Sequence, residues 1–193
     1  MAWELTPWDY ETDGPLGPLI DAETFSALTS GRYAADSRVG DMIDACTSAI
    51  RNYCGWHVAG SVACRAVLDG GESSLWLPSN HVLSVTSVEV LGTPVTCYEW
   101  NRPGLLRLPR VPDVLRAVVV EYVAGHDSVP EDLVQLVKER VERALSGARG
   151  VTQETAGGVS VSYAPSFATD LGGVSLSASD KDALCGYRLV EAI

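Results

Sequence analysis

Histidine, serine and aspartate side chains are the groups in this sequence that could carry out acid–base or nucleophilic chemistry. His57 follows a predicted helix, His81 precedes a predicted strand, and His126 lies in a predicted turn. His81 near Ser79, and the pair His126–Asp127, each supply two of the three groups of a catalytic triad. The sequence shows neither a nucleophile-elbow pattern nor a matching third group. We therefore expect surface histidines and no catalytic residues.

The five cysteines also lack the spacing of a reactive or metal-binding site. They are Cys46, Cys54, Cys64, Cys97 and Cys185. Their number is odd and they contain no C-x-x-C pair, so we expect small, reduced core residues in a cytosolic chain. Gly157-Gly158 and Gly172-Gly173 have no P-loop spacing and no following lysine, which favours hinges over phosphate-binding loops. The sequence predicts no metal and no cofactor.

Composition and charge exclude several classes of protein. The chain has 193 residues, 46% hydrophobic and 20% charged, which is typical of one globular domain with extensions. A net charge of −11 argues against a sequence-specific nucleic-acid binder, because such a protein needs a basic face for the phosphates. No apolar run reaches the roughly 20 residues of a membrane span. We expect a soluble protein, made in the cytoplasm, with no membrane partner.

Three zones differ in composition along the chain. Residues 1–20 form an N-terminal arm that combines aromatic and acidic side chains without helical periodicity. Residues 21–147 alternate helix and strand patterns and form the predicted core domain. Residues 148–193 form a C-terminal arm, rich in Gly, Ser and Ala, with one strand and a terminal helix. The roles of Trp3, Trp8 and Tyr10 stay open between a neighbouring subunit, a partner and the chain's own core.

Three helices are predicted in the core. A short one covers about 21–28. Apolar residues at three- and four-residue steps predict a second helix, which starts near Val39 and stops at Gly55. The third follows a capping-box pattern that begins at Ser128, and its apolar stripe continues to Leu145.

Between the second and third helices the pattern changes to strands. Pro103-Gly104 fits the centre of a type II turn. Ala117–Val123 is apolar except for Glu121, as expected of a strand covered on both faces. The sequence predicts an α+β fold, in which amphipathic helices bracket a small, mostly antiparallel sheet. The predicted strands are Val62–Leu68, Ser74–Leu77, Val82–Leu91, Val95–Trp100, Leu105–Leu108 and Ala117–Val123.

Three consecutive motifs are similar to a known family. In Val118–Leu145 a strand leads through a short loop into a long helix, with a "Tyr-x-x-Gly" and a "Val-Pro-x-Asp-Leu" signature. These signatures are Tyr122, Gly125, Val129, Pro130, Asp132 and Leu133. Thr155–Tyr163 follows as a strand, and Ser179–Arg188 as a terminal helix with a "Leu-x-x-Tyr-Arg" ending. The order resembles the head-to-tail connector, or head-tail adaptor, family of long-tailed DNA phages over about residues 21–190. The N-terminal arm and Gly186, which precedes Tyr187, depart from that pattern.

The resemblance implies a structural virion protein rather than an enzyme. Proteins of that family form a ring, usually twelvefold, under the portal vertex at the head–tail joint. The ring extends the DNA channel and docks the next neck protein. The implied partners are other copies of the chain, the portal protein and a downstream neck or tail-completion protein, with DNA passing through the lumen without sequence-specific binding. Two alternatives remain: another neck or tail-completion protein of the same particle, and a small cytosolic hydrolase.

Two sets of residues are candidates for these contacts. A head-to-tail ring needs two different, complementary faces on each subunit. The candidate faces are on the third helix and the aromatic strands, at Leu133, Leu136, Arg140, Arg143, Trp76 and Trp100. The C-terminal arm is too polar to fold alone, so we expect it to become ordered on the portal. Its candidate contacts are Val159, Val161, Tyr163, Leu184, Tyr187 and Arg188.

Overall fold

A computed structural model describes residues 3–147, 153–156, 159–162 and 175–189, and for 147, 153–156 and 159–162 it describes the backbone alone. The described chain is α+β, as predicted. It divides into two compact units. Unit 1 comprises Met1–Gly17, Arg51–Pro130 and Ala183–Ile193, and unit 2 comprises Pro18–Ile50 and Glu131–Asp182.

Unit 1 is built on two antiparallel sheets. A six-stranded sheet has the order β1-β2-β3-β9-β5-β6, and a three-stranded sheet has the order β4-β8-β7. The strands are β1 (Trp3–Leu5), β2 (Tyr10–Asp13), β3 (Val62–Leu68), β4 (Ser74–Trp76), β5 (Val82–Val90), β6 (Thr93–Pro94), β7 (Glu99–Trp100), β8 (Leu105–Arg107) and β9 (Val118–Ala124). The central strands pair over their whole length, since Val62–Leu68 lies opposite Val118–Ala124.

Strand β9 is buried on one face only. Its residues alternate strictly between buried and half-buried, and Glu121 lies on the half-buried face. The prediction of a strand covered on both faces is therefore wrong for the single subunit. On that outer face Glu121 lies opposite Arg65 of β3, and Arg65 forms an ion pair with Glu11 of β2 (3.3 Å). A row of charged side chains thus crosses the outer face of the sheet from β2 to β9.

The N-terminal arm contains two strands that the sequence did not indicate. Strand β2 pairs with β3, and the hydroxyl of Thr6 donates to the carbonyl of Tyr10 (2.7 Å) to close the turn between β1 and β2. Tyr10 is buried in unit 1, and Trp8 stacks on it with 6.2 Å between ring centroids. Strands of three and four residues are too short to show a period, so only long-range pairing reveals them. Tyr10 thus packs in the chain's own core.

One strand and one turn differ from the prediction in detail. Only Glu99–Trp100 of the predicted strand Val95–Trp100 is extended in a sheet. The chain folds back from there into β8 as expected. However, the N–H of Gly104 donates to the carbonyl of Asn101 (3.0 Å), so the turn centres on Arg102–Pro103 and not on Pro103-Gly104. The Asn101 side chain also accepts from the N–H of Leu105 (2.9 Å), which favours this register.

Helices form most of unit 2. The helices of the described residues are α1 (Ala22–Leu28), α2 (Val39–Cys54), α3 (Glu131–Gly147) and α4 (Ala178–Leu184), and β10 (Gln153–Ala156) pairs antiparallel with β11 (Val159–Ser162). Asp21 caps α1 by accepting from the N–H of Thr24 (2.7 Å). The buried stripe of α3 is Leu133, Val137, Val141 and Leu145. The terminal helix continues as a 3-10 turn at Cys185–Tyr187. Among the described residues, no helix has the length and apolarity to cross a membrane.

Candidate functional site

His57 is the centre of a buried polar network in unit 1. Its ring Nε2 lies 3.0 Å from the carbonyl oxygen of Ala124, and its Nδ1 lies 2.7 Å from the hydroxyl of Tyr10. A carbonyl accepts only, so Nε2 carries the proton and Nδ1 accepts from Tyr10. The Tyr10 hydroxyl in turn accepts from the backbone N–H of His57 (3.0 Å). The network ties β2 and β9 to the loop after α2.

Burial keeps both rings of this network uncharged. Desolvation lowers the pKa of His57 to about 4 and raises the pKa of Tyr10 well above its usual range. The imidazole is fully buried, and both of its nitrogens are occupied within the chain. A general base needs access to substrate and a pKa near the working pH, and His57 has neither. The role of His57 is therefore structural.

The other two histidines stack on each other near the same end of β9. The ring centroids of His81 and His126 lie 4.1 Å apart, and the ring of Trp56 lies 6.4 Å from that of His126. No local spacing in the sequence links these two histidines, because 44 residues lie between His81 and His126. Only the pairing of β5 with β9 brings them together.

The serine of the possible triad bonds to a backbone group of His81 and not to its ring. Ser79 is buried, and its hydroxyl oxygen accepts from the backbone N–H of His81 (3.2 Å). The His81 ring stacks on His126, and burial lowers the pKa of His81. His126 also contacts Tyr187 edge-on, at 5.9 Å between ring centroids. The arrangement is a packed aromatic cluster.

Residues Cys185–Leu189, which we call the C-terminal segment, lie on this cluster. Trp56 Nε1 donates to the carbonyl of Tyr187 (2.6 Å), and the Asn80 amide donates to the carbonyl of Gly186 (3.0 Å). The N–H of Leu189 donates to the carbonyl of Cys54 (2.9 Å). The expectation that the C-terminal arm becomes ordered only on a partner is therefore wrong for this segment, because it is ordered on unit 1 of its own chain.

The predicted portal-binding residues have different environments. Leu184 is fully buried, Tyr187 is half-buried, and the guanidinium of Arg188 lies over the ring of Tyr53, 5.8 Å from its centroid. Val159 and Val161 belong to β11, which pairs with β10. Tyr163 lies outside the described residues. Contact of these residues with a portal stays a prediction.

In unit 2, Arg140 holds α4 on α3. Its guanidinium contacts the carboxylate of Asp180 at 2.5 Å, and the two side chains are 11% and 6% exposed. The same nitrogen donates to the hydroxyl of Ser177 (3.0 Å). Arg140, predicted at a subunit interface, is thus engaged within its own unit. Removing one partner of such a buried pair leaves an uncompensated charge.

The remaining interface candidates differ in accessibility. Leu133 is buried in unit 2, Leu136 is half-buried and Arg143 is exposed. Trp76 and Trp100 are 45% and 38% exposed. In the small sheet Trp76 lies opposite Leu105 and Trp100 lies opposite Leu106. Consecutive strand residues point to opposite faces, so the two tryptophans lie on opposite faces of the sheet. They do not form one cluster, and a single partner surface contacts one or the other.

The cysteines divide into two groups. Cys46, Cys54 and Cys64 are buried, and burial raises the pKa of each thiol to about 12. These three are core residues, as predicted, and their thiols stay protonated. Cys97 and Cys185 are exposed, so the core prediction is wrong for them. Within the part of the chain that the structure describes, no group of three or more His, Cys, Asp or Glu side chains could hold a metal ion.

Trp56→Phe should loosen the C-terminal segment without unfolding unit 1. The variant keeps an aromatic ring but loses the 2.6 Å hydrogen bond to Tyr187, worth about 1 kcal/mol. We expect amide hydrogen exchange to become about fivefold faster at Leu189, whose N–H bonds to Cys54. Exchange at Val120, in the middle of β9, serves as the control. Equal acceleration at both positions would mean that the whole unit had been destabilised.

Comparison with known proteins shows the family. The model of the head completion protein family matches residues 19–168, which is well over half of the chain. The chain belongs to the head completion protein family. This head completion protein is therefore a structural virion protein and not an enzyme. The family match omits the β1–β2 hairpin and the terminal helix. None of the curated proteins matches the chain.

Solved structures share the fold. One is a chain from the neck of a native gene transfer agent particle computed with C12 symmetry: it is 18% identical, has a TM-score of 0.53, and the match covers 93% of this chain and 98% of that chain. A chain from the virion of a native gene transfer agent particle has a TM-score of 0.59 at 17% identity, with 95% and 97% covered. A chain from the neck of an empty particle computed with C6 symmetry has a TM-score of 0.57 at 17% identity, again with 95% and 97% covered.

Proposed function

We propose that this head completion protein forms a homo-oligomeric ring between the portal vertex and the tail of a long-tailed DNA bacteriophage. The ring extends the DNA channel and docks the downstream neck or tail-completion protein. The family match over residues 19–168 carries the proposal. The fold shared with chains from necks computed with C12 and C6 symmetry supports it, and twelve copies fit both symmetries.

The net charge suits a conduit. A chain of charge −11 repels phosphates, so a channel built from it does not hold the passing DNA. Sequence-specific binding requires a basic face, which this composition disfavours. In the proposed ring, DNA passes through the lumen without sequence-specific contacts.

The C-terminal arm is the proposed portal contact. Three hydrogen bonds and the stacking of Arg188 on Tyr53 hold its C-terminal segment to unit 1. Each of these hydrogen bonds is worth roughly 1 kcal/mol. Contacts with a portal surface that offers equal or better partners can therefore replace them. Tyr187, which is half-buried, and Arg188, which is exposed, supply the aromatic and cationic groups for that contact, whereas Leu184 is buried within the chain. For the ring contact, Leu136, Arg143, Trp76 and Trp100 are accessible in the single subunit.

Electron microscopy of particles made without this gene tests the proposed position. We expect DNA-packed or leaking heads beside separate, finished tails. The matched control supplies the wild-type gene from a plasmid and should restore joined particles. Joined particles in its absence would show that the protein is dispensable for assembly and would overturn the proposal.

Truncation after Gly150 separates folding from assembly. The shortened chain keeps α1 to α3 and the six-stranded sheet but loses Asp180 and the buried Leu184, so circular dichroism should show a folded protein of lower thermal stability. We expect it to fail to join heads to tails. The full-length double variant Tyr187→Ala/Arg188→Ala is the companion, since it changes only the C-terminal segment. Normal joined particles from both proteins would disprove the role of the arm.

A further inference from the structure

Three exposed apolar side chains lie at one end of the six-stranded sheet, where β9 begins. The N–H of Leu91, in the β5–β6 turn, donates to the carbonyl of Ala117 (2.8 Å), so that turn meets the loop 109–117. We call this surface the end patch. It comprises Leu91, Val114 and Leu115, which are 58%, 47% and 78% exposed. Exposed apolar surface of this kind is a common mark of a protein contact.

The end patch is held in a costly backbone conformation. Leu91 and Arg116 have φ values of 50° and 56°, in the left-handed region that residues other than glycine rarely adopt. The N–H of Gly70 donates to the carbonyl of Val114 (2.8 Å), and the N–H of Arg116 donates to the carboxylate of Asp69 (2.7 Å). The loop is therefore fixed with its leucine outward, and strain kept in this way tends to occur at functional surfaces.

The charge around the end patch differs from that of the chain as a whole. Arg110 and Arg116 are both exposed, and neither forms an ion pair among the described residues. Two neighbouring carboxylates balance this charge locally, in contrast to the acidic excess of the whole chain: Asp69 accepts from the N–H of Arg116, and Asp113 lies beside Gly71. The end patch thus presents leucine side chains next to two free guanidinium groups.

The β1–β2 hairpin has the complementary character. Residues 1–31 contain six acidic side chains and no lysine or arginine. Glu4, Asp9 and Asp13 are exposed and form no ion pair within the described chain. Leu5, beside Glu4, is 77% exposed on the edge strand β1. This surface combines an apolar side chain with unpaired carboxylates.

The two surfaces belong to opposite parts of the same sheet. Strand β1 forms one edge, and the β5–β6 turn lies near the other, four to five strand spacings or roughly 19–24 Å away. One chain cannot bring them together, whereas two copies side by side can. A contact between two different patches of neighbouring copies is the heterologous type, which closes into a ring.

We infer that the β1–β2 hairpin of one copy docks on the end patch of the next copy. Leu5 packs against Leu115 and Val114, and Glu4 and Asp9 pair with Arg110 and Arg116. The inference rests on the proposed ring and names one of its subunit contacts. Since the family match begins at residue 19, the hairpin side of the contact belongs to a part of the chain that the family model does not include.

Chemical cross-linking in assembled particles tests this contact. The exposed Cys97 and Cys185 are first changed to serine. The variant Leu5→Cys/Leu115→Cys is then treated with a short bis-maleimide, and the products are separated by size. We expect a ladder of multimers at least tenfold stronger than from either single variant. Leu5→Cys/Asn52→Cys, which places the second thiol at an exposed site on α2, is the matched control.

Charge exchange gives a second, independent readout. Arg110→Glu/Arg116→Glu should lower the yield of joined particles at least tenfold, and adding Glu4→Arg/Asp9→Arg should recover most of the loss. Protein present at the head–tail joint without a ladder, or without recovery, would overturn this inference alone. Absence of the protein from the joint would instead overturn the proposed function.

Discussion

Gly125→Ala is expected to destabilise unit 1 by about 3 kcal/mol or more, enough to unfold a marginal domain at physiological temperature. Gly125 follows β9 directly and has a φ of +109°, which an alanine adopts only with strain. A Cβ at this position would lie 2.3 Å from the carbonyl oxygen of Gly60 and 2.8 Å from Nε2 of His57. Neither atom can move freely, because one is backbone and the other bonds to Ala124.

Gly60→Ala is the matched control for this prediction. Gly60 also has a positive φ, +87°, but a Cβ there meets no atom within 4 Å. Gly60→Ala should therefore lower the free energy of unfolding only by the backbone conformational penalty, about 1 kcal/mol. Urea unfolding followed by tryptophan fluorescence measures both. Equal losses for the two variants would show that backbone conformation, and not the collision with Gly60 and His57, sets the requirement for glycine at 125.

The helices show which features of the fold the sequence predicts well. The apolar stripes of α2 and α3 repeat every three or four residues, so each helix is visible within its own segment. Gly55 was predicted to end α2, and it does so with a φ of +80°. Gly125 was part of the family resemblance, but its physical requirement depends on Gly60 and His57, which no local pattern connects to it.

Long-range contacts account for what the sequence did not predict. The hydroxyl of Tyr10 bonds to a histidine 47 residues away, and the amide of Asn80 bonds to a carbonyl 106 residues away. The amphipathic pattern of α3 correctly indicated an apolar face at Leu133, but it could not say whether that face covers the chain's own core or a neighbour. The structure assigns Leu133 to the core of unit 2.

The predictions of interface and portal-binding residues also could not distinguish a partner within the chain from a partner outside it. Arg140 and Leu184 were selected by type and position, as residues suited to a contact. Both are engaged within the chain, Arg140 with Asp180 and Leu184 in a buried site. A charged or apolar residue on a helix is compatible with an internal or an external partner, and burial decides between them. The exposed residues of the end patch were not selected, because exposed apolar positions in a loop have no periodicity to mark them.

Lowering the pH from 7 to 5 should cost unit 1 about 2 kcal/mol through His57 alone. In the unfolded chain His57 binds a proton near pH 6.5, whereas in the folded protein burial lowers its pKa to about 4. Between these values the unfolded state holds more protons, so acid favours unfolding. This part of the stability is fully present above pH 6.5 and is lost as the pH falls towards 4. The full gap of about 2.5 pKa units corresponds to about 3 kcal/mol.

His57→Gln isolates this effect from other titrating groups. The glutamine amide can still donate to the carbonyl of Ala124, but it does not titrate. His81, whose pKa burial also lowers, is unchanged in the variant, so its contribution cancels in the comparison. Urea unfolding at pH 7, 6 and 5 should give a steeper loss for the wild type than for the variant. Parallel pH dependence in the two proteins would mean that His57 has the same pKa in the folded and unfolded states, so that the Tyr10–His57–Ala124 network would contain a charged imidazolium at pH 5.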